Sequence, residues 1–134
     1  MKDIEELSFP AEVRYSNTHE WAMRVGENIR VGITDYAQDR LGDITFVEMP
    51  QVGDSFQQGQ RCGTLESAKA LSDLFVPIGG EVVAVNRGLE ESPELINQDP
   101  YAQGWIVDLK PTNPAEWDSL LNSDAYLALL EGME

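Results

Sequence analysis

Cations are scarce in this sequence of 134 residues: nine Lys and Arg stand against 24 Asp and Glu, a net charge of −15. Binding nucleic acid requires a basic patch to neutralise phosphates, and none is visible. The same charge opposes anionic membrane surfaces and suits solubility or charge-steered encounters with partner proteins. Cysteine is nearly absent. Cys62 stands alone, so no internal disulfide is possible, and in "QRCGTLE" it reads as a small buried hydrophobe rather than a nucleophile. Histidine is also single, at His19. A Cys/His metal cluster is excluded, as are HExxH and G-x-S-x-G chemistry. His19 has no nucleophile paired with it in the sequence and reads as structural. No apolar run approaches the length of a membrane span. "MKDIEELSFP" lacks a signal-peptide core or an Arg-rich transit pattern, which leads us to expect a cytoplasmic protein.

What remains is ordinary globular composition, 42% apolar and 25% charged, at a length that fits one domain able to hold a core without disulfides or metals. Short strands dominate. Residues 19–25 and 28–33 flank Gly26-Glu27 as a hairpin, and Ile29, Val31 and Ile33 alternate with Arg30 and Gly32. Over 34–42, Thr34 suits an N-cap, Asp35 the first turn and Gly42 the C′ position of a short helix. Residues 43–49 return to strand, with Ile44, Phe46 and Glu48 on one face. Strands are expected at 61–66, 71–77, 79–86 and 105–110. Residues 87–104 read as loop with a helical turn near Pro93–Ile96. Asn113, Pro114 and Glu116 form a capping-box start, with Trp117, Leu120 and Leu121 on one face. A last helix over 123–132 gathers Tyr126, Leu130 and Met133. With no βαβ alternation, the pattern predicts a mainly β fold. That fold is a flattened antiparallel sandwich or hybrid barrel over 14–110, with one short internal helix and a helical segment over 113–133, in a single domain spanning 1–134. Trp21, Ile33, Phe46, Val83, Val85 and Trp105 are the expected core.

One lysine is conspicuous in so acidic a chain. In "LESAKALSD" (65–73), Lys69 sits among Ser67, Ala68 and Ala70, between two strand-like runs. Taken alone, the nonapeptide describes an exposed turn with a charged tip.

Longer stretches change that reading. "RYSNTHEWA" (14–22), "VGITDYAQDRLGDITFVEMPQVGD" (31–54), "LESAKALSDLFVPIGGEVVAVN" (65–86) and "LINQDPYAQGWIVDLKP" (95–111) together resemble, in order and over nearly the whole chain, the H protein family of the glycine cleavage system. Ala68 replaces a bulkier β-branched residue of that family, and Gly79 a polar one. Neither change removes a reactive group.

The resemblance implies that Lys69 carries lipoate in amide linkage, within the motif Glu66, Ser67, Ala68 and Ala70. A tether lysine needs an exposed tip on a rigid base and small neighbours that admit a modifying enzyme. The implied role is a carrier, not an enzyme. Glycine decarboxylase loads an aminomethyl group on the arm, aminomethyltransferase unloads it, and dihydrolipoamide dehydrogenase reoxidises the dithiol. A lipoate ligase or octanoyltransferase installs the arm. The expected setting is a monomer in the bacterial cytoplasm, with no metal, nucleic acid or membrane partner. The resemblance also maps Thr18, His19, Glu20 and Asp73 onto a cleft that receives the loaded arm. The parity of Asp73 with Leu71 and Phe75 suggests a partly desolvated carboxylate. Other readings are a lipoyl domain of a 2-oxo acid dehydrogenase complex, which usually carries D-K-A at its tip, and a biotin carrier, with M-K-M. A relay that passes octanoyl or lipoyl groups to other proteins, or an acidic scaffold with a bare lysine, completes the set.

Overall fold

The computed structural model describes residues 1–133; Glu134, part of the expected domain, lies outside the described residues. Among the described residues, nine strands form two antiparallel sheets. They are β1 (Arg14–Tyr15), β2 (Glu20–Val25), β3 (Asn28–Ile33), β4 (Ile44–Glu48), β5 (Ser55–Phe56), β6 (Arg61–Ser67), β7 (Leu71–Phe75), β8 (Gly80–Val85) and β9 (Val107–Pro111). The larger sheet runs β1-β2-β3-β9-β8-β5 and the smaller β4-β6-β7. Val31, Leu65, Leu74, Ile78, Val82, Ile106 and Leu109, all fully or almost fully buried, join the two sheets in one core.

Helix α1 (Asp35–Leu41) forms where the caps predict it. Thr34 accepts from the Ala37 amide and Gly42 ends the helix at φ 78°. That φ is one L side chains rarely adopt, so the stop is built into the residue. Two further short helices, α2 (Gly88–Glu91) and α3 (Leu95–Gln98), occupy the segment expected as loop with one helical turn. From α3, Asn97 donates to Gln38 Oε1 and to the Gly42 carbonyl at 2.9 Å each, and accepts from the Ile44 amide. It clamps the end of α1 to the start of β4.

The C-terminal segment opens with a 3-10 helix, Pro114–Ser119, capped by Asn113. The capping box does not close. The Glu116 side chain instead accepts from the Gly79 amide at 2.9 Å and ties the segment to the sheet. Trp117 and Leu120 pack in the inter-sheet core, whereas Leu121 belongs to a second cluster. Helix α4 (Ser123–Met133) buries Tyr126 and Leu130 in that cluster, with Tyr15, Trp21 and Tyr36; Met133 is exposed.

Two expected core residues point outward. Phe46 is 54% exposed and Val83 36%. The reason is the same in both strands. The register shifts between Ile44 and Phe46 against β6, and between Val82 and Ala84 against β9. A bulge inserts one residue and reverses the parity after it. Hence Ile44 and Val47, and likewise Val82 and Val85, face inward. Trp105 is only half-buried, with Arg30 stacked at 4.2 Å from its ring centroid. Trp21, Ile33 and Val85 are buried as expected.

Candidate functional site

Strands β6 and β7 pair from Arg61↔Phe75 to Glu66↔Leu71 and turn over residues 67–70. The Ser67 amide donates to the Ala70 carbonyl at 2.9 Å, and the Ala70 amide donates to Ser67 Oγ at 3.2 Å. Ser67 therefore locks the turn through backbone and hydroxyl together. Ala68, Lys69 and Ala70 at its tip are exposed, and so is Glu66. Lys69 forms no ion pair among the described residues. Its side chain lies across Gly42: a Cβ on that glycine would stand 3.2 Å from Lys69 Cε and 3.7 Å from Nζ. A glycine at the end of α1 thus leaves a notch for the lysine stem.

Beyond the notch, a cleft of about 150 Å³ opens between α1 and the β2/β7 side of the fold. It brings together Thr18, His19, Glu20 and Asp73, with Arg40 and Leu41 of α1 on its wall. All four cleft residues expected from the resemblance are there. Three of them are consecutive, which an extended strand cannot place in one cleft. His19 lies at φ 74°, and this left-handed residue breaks the alternation just before β2.

Glu20 is 1% exposed. Its Oε1 accepts from Ser16 Oγ at 2.7 Å and, through a very short bond, from Thr18 Oγ1; Oε2 accepts from the Phe75 amide at 3.2 Å. Burial pushes the carboxyl up to about 7, against the pull of these donors. The same charge adds to burial in holding the Cys62 thiol up at about 12, so Cys62 is inert as a nucleophile.

Asp73 differs from its expectation. Its side chain is 49% exposed and accepts from Arg61 Nε at 3.0 Å, with Glu48 3.7 Å from the same guanidinium. Leu71 is itself 70% exposed, and it is Leu74 that faces the core. The apolar face inferred for Leu71, Asp73 and Phe75 is the outer face of the small sheet, and Asp73 stands solvated at the mouth of the cleft.

His19 is half-buried and burial lowers its pKa. Its Nδ1 lies 2.8 Å from the Tyr126 hydroxyl, which lies 2.8 Å from Thr34 Oγ1. Sequence reading missed Ser16, Gly42, Thr34 and Tyr126 as parts of this site. Ser16 sits four residues before Glu20 in the same motif, a proximity that offers a signal. Tyr126 is 107 residues from His19, and no local pattern connects them.

Two packed antiparallel sheets that present an exposed lysine at a hairpin tip are the build of a lipoyl-type carrier. The glycine cleavage H-protein family model matches residues 13–133. A glycine cleavage system H protein of Bacteroides fragilis is 49% identical over 124 residues, covering 92% of this chain and 98% of its relative. One from Symbiobacterium thermophilum is 56% identical over 118 residues, covering 87% and 91%. The crystal structure of a glycine cleavage system H protein from Mycobacterium marinum superimposes with a TM-score of 0.82 at 36% identity, covering 92% of this chain and 99% of that one. The chain belongs to the glycine cleavage H-protein family.

Proposed function

We propose that this chain is the lipoyl-carrying component of glycine cleavage, with lipoate amide-linked to Lys69. The observation that carries the assignment is Lys69 itself, exposed at the tip of a hairpin whose base is held by seven-residue β6 and five-residue β7. The residues fit the group. Ala68 and Ala70 leave the amine open to a modifying enzyme, and the Gly42 notch leads the stem toward the cleft. When bound, the lipoyl group supplies a disulfide–dithiol couple that takes up a one-carbon amine and two electrons.

The chain's own residues do the rest. The hairpin holds the attachment point out from the core, so one tether serves glycine decarboxylase, aminomethyltransferase and dihydrolipoamide dehydrogenase in turn. It also raises the effective concentration of the arm's end at each docked partner. A lipoate ligase or octanoyltransferase modifies Lys69. Glu20, with Thr18 and Ser16 fixing its Oε1 and the Phe75 amide its Oε2, receives the cationic amine in the cleft, and Asp73 adds negative charge at the mouth. A charge-assisted hydrogen bond there contributes roughly 1.5–3 kcal/mol. The chain acts as a single-domain monomer in the bacterial cytoplasm. Among the described residues no helix is long and apolar enough to cross a membrane.

Glycine cleavage is favoured over a 2-oxo acid dehydrogenase domain by the match to the H-protein family along residues 13–133, and over a relay role by relatives named as glycine cleavage system H proteins. The test is intact mass after incubation with lipoate and a lipoate ligase. The parent gains one lipoyl group. Lys69→Arg, which keeps the charge but loses the acylatable amine, gains none. A lipoylated Lys69→Arg variant sinks the assignment.

A further inference from the structure

His19 is tied to the C-terminal helix by a chain of hydrogen bonds whose direction is fixed by burial. Thr34 and Tyr126 are both fully buried. Thr34 Oγ1 accepts from the Ala37 amide at 3.2 Å, and its own proton has one acceptor within reach, the Tyr126 oxygen at 2.8 Å. If the threonine donates to the tyrosine, the tyrosine proton goes to His19 Nδ1 at 2.8 Å. Both buried hydroxyl protons then have a place. In the reverse order, with Nδ1–H donating to Tyr126 and Tyr126 donating to Thr34, the threonine proton is stranded in the core. A buried donor left unsatisfied is costly. The favoured order makes Nδ1 an acceptor and puts the ring proton on Nε2. Protonating the ring would also place a hydrogen on Nδ1 and strand the same threonine proton, so the network opposes an imidazolium.

We infer that Tyr126 and Thr34 are positioning residues that hold His19 as its neutral Nε2–H tautomer, so that the cleft offers the arm's cationic amine no basic ring nitrogen. The inference rests on the carrier reading of the cleft. It matters because of how the cargo fails. An amine attached through one carbon to sulfur is stable while its nitrogen is protonated. Once that proton is lost, the nitrogen lone pair forms a C=N bond as the C–S pair leaves on sulfur. Water then adds to the carbon, giving formaldehyde and ammonia and leaving the thiol. A histidine with a free lone pair in the cleft would take that first proton. A histidine locked as a donor on Nε2 does not, and being neutral it does not repel the ammonium from Glu20.

His19 is the sole histidine, so imidazole nitrogen-15 NMR of the unmodified protein observes one ring without assignment. The expected pattern is protonated Nε2 and unprotonated Nδ1. A protonated Nδ1 in the parent overturns the inference, and that measurement needs no substitution. In Tyr126→Phe, the pattern should move toward mixed tautomers. The aminomethyl-loaded variant, without transferase, should release formaldehyde about fivefold faster, the factor carried by one net hydrogen bond. A Tyr126→Phe protein with parental nitrogen shifts and parental lifetime also overturns it. If Glu20→Gln leaves the lifetime unchanged while the tautomer is as stated, it is the cleft reading that fails, not the tautomer lock.

Discussion

Replacing Glu20 by Gln should change how stability depends on pH, by an amount the structure sets. The carboxyl is raised from its usual 4.5 to about 7 by desolvation. Between those values the folded protein holds a proton that the unfolded chain has released. Folding stability therefore falls as pH rises through this window, and the whole cost is present above pH 7. At about 1.4 kcal/mol per pH unit, the cost totals about 3 kcal/mol, most of which accrues between pH 5 and 8. Gln does not titrate. It keeps an oxygen for Ser16 and Thr18 but turns an NH2 toward the Phe75 amide, a penalty that does not vary with pH. His19 titrates in the opposite sense over an overlapping range below 6.5, since its lowered pKa adds stability as pH rises. It is present in both proteins and cancels on subtraction. Urea unfolding of both at pH 5, 6, 7 and 8 gives the difference directly. The parent should lose about 2 to 3 kcal/mol relative to the variant across that range, equivalent to several degrees of thermal midpoint for a chain of this length. A difference constant within about 0.5 kcal/mol would show that Glu20 does not titrate there, and the desolvated carboxylate would be withdrawn.

The two cleft carboxylates should separate in function. Glu20→Gln should shorten the lifetime of the loaded carrier, read as formaldehyde release, more than Asp73→Asn does, because Asp73 is half exposed and already paired with Arg61; equal effects would mean that burial does not set the strength of the site. The unmodified and lipoylated forms should unfold within a few degrees of each other, about what 1 kcal/mol gives, since the tip at 68–70 is exposed and adds nothing to the core; a much larger gain on lipoylation would mean that the arm packs as core.

Strand positions along the chain were largely legible because turn residues and two-residue periodicity are local signals; their order in the two sheets was not. "NIRVGI" and Thr34-to-Gly42 appear where pattern and caps put them. Which way Phe46 and Val83 point was not legible. Each lies beside a bulge, and a bulge is decided by the partner strand: Thr45 is spare against β6, and its hydroxyl donates to the Glu66 carbonyl at 3.1 Å. Phe46 is then held outward in a row with Glu66 and Leu71. The Glu116 side chain was lost to prediction for the same reason, since its acceptor role depends on Gly79, 37 residues away. In the site, the cleft residues were placed by resemblance. Their burial was not, because parity in β7 put Asp73 on a face with Leu71 and Phe75, of which Leu71 is exposed and Phe75 only half-buried.

Glu20 and Asp73 show why a carrier would keep one carboxylate dry and one wet. Holding Glu20 dry destabilises the fold above pH 7, yet three donors have been gathered around it from Ser16, Thr18 and the Phe75 amide. A residue that served only packing would be replaced by an apolar side chain at a gain. What the dry carboxylate provides is a strong response to an incoming cation. An ammonium within contact distance restores its ionised form, so attraction is greatest when the cargo is charged and weak when the empty arm passes. Asp73, solvated and shared with Arg61, offers only weak, short-range attraction with little selectivity, because water and the guanidinium already satisfy it. On the carrier function proposed above, the pair would divide the work: Asp73 would add charge at the mouth, and Glu20 would distinguish loaded from empty.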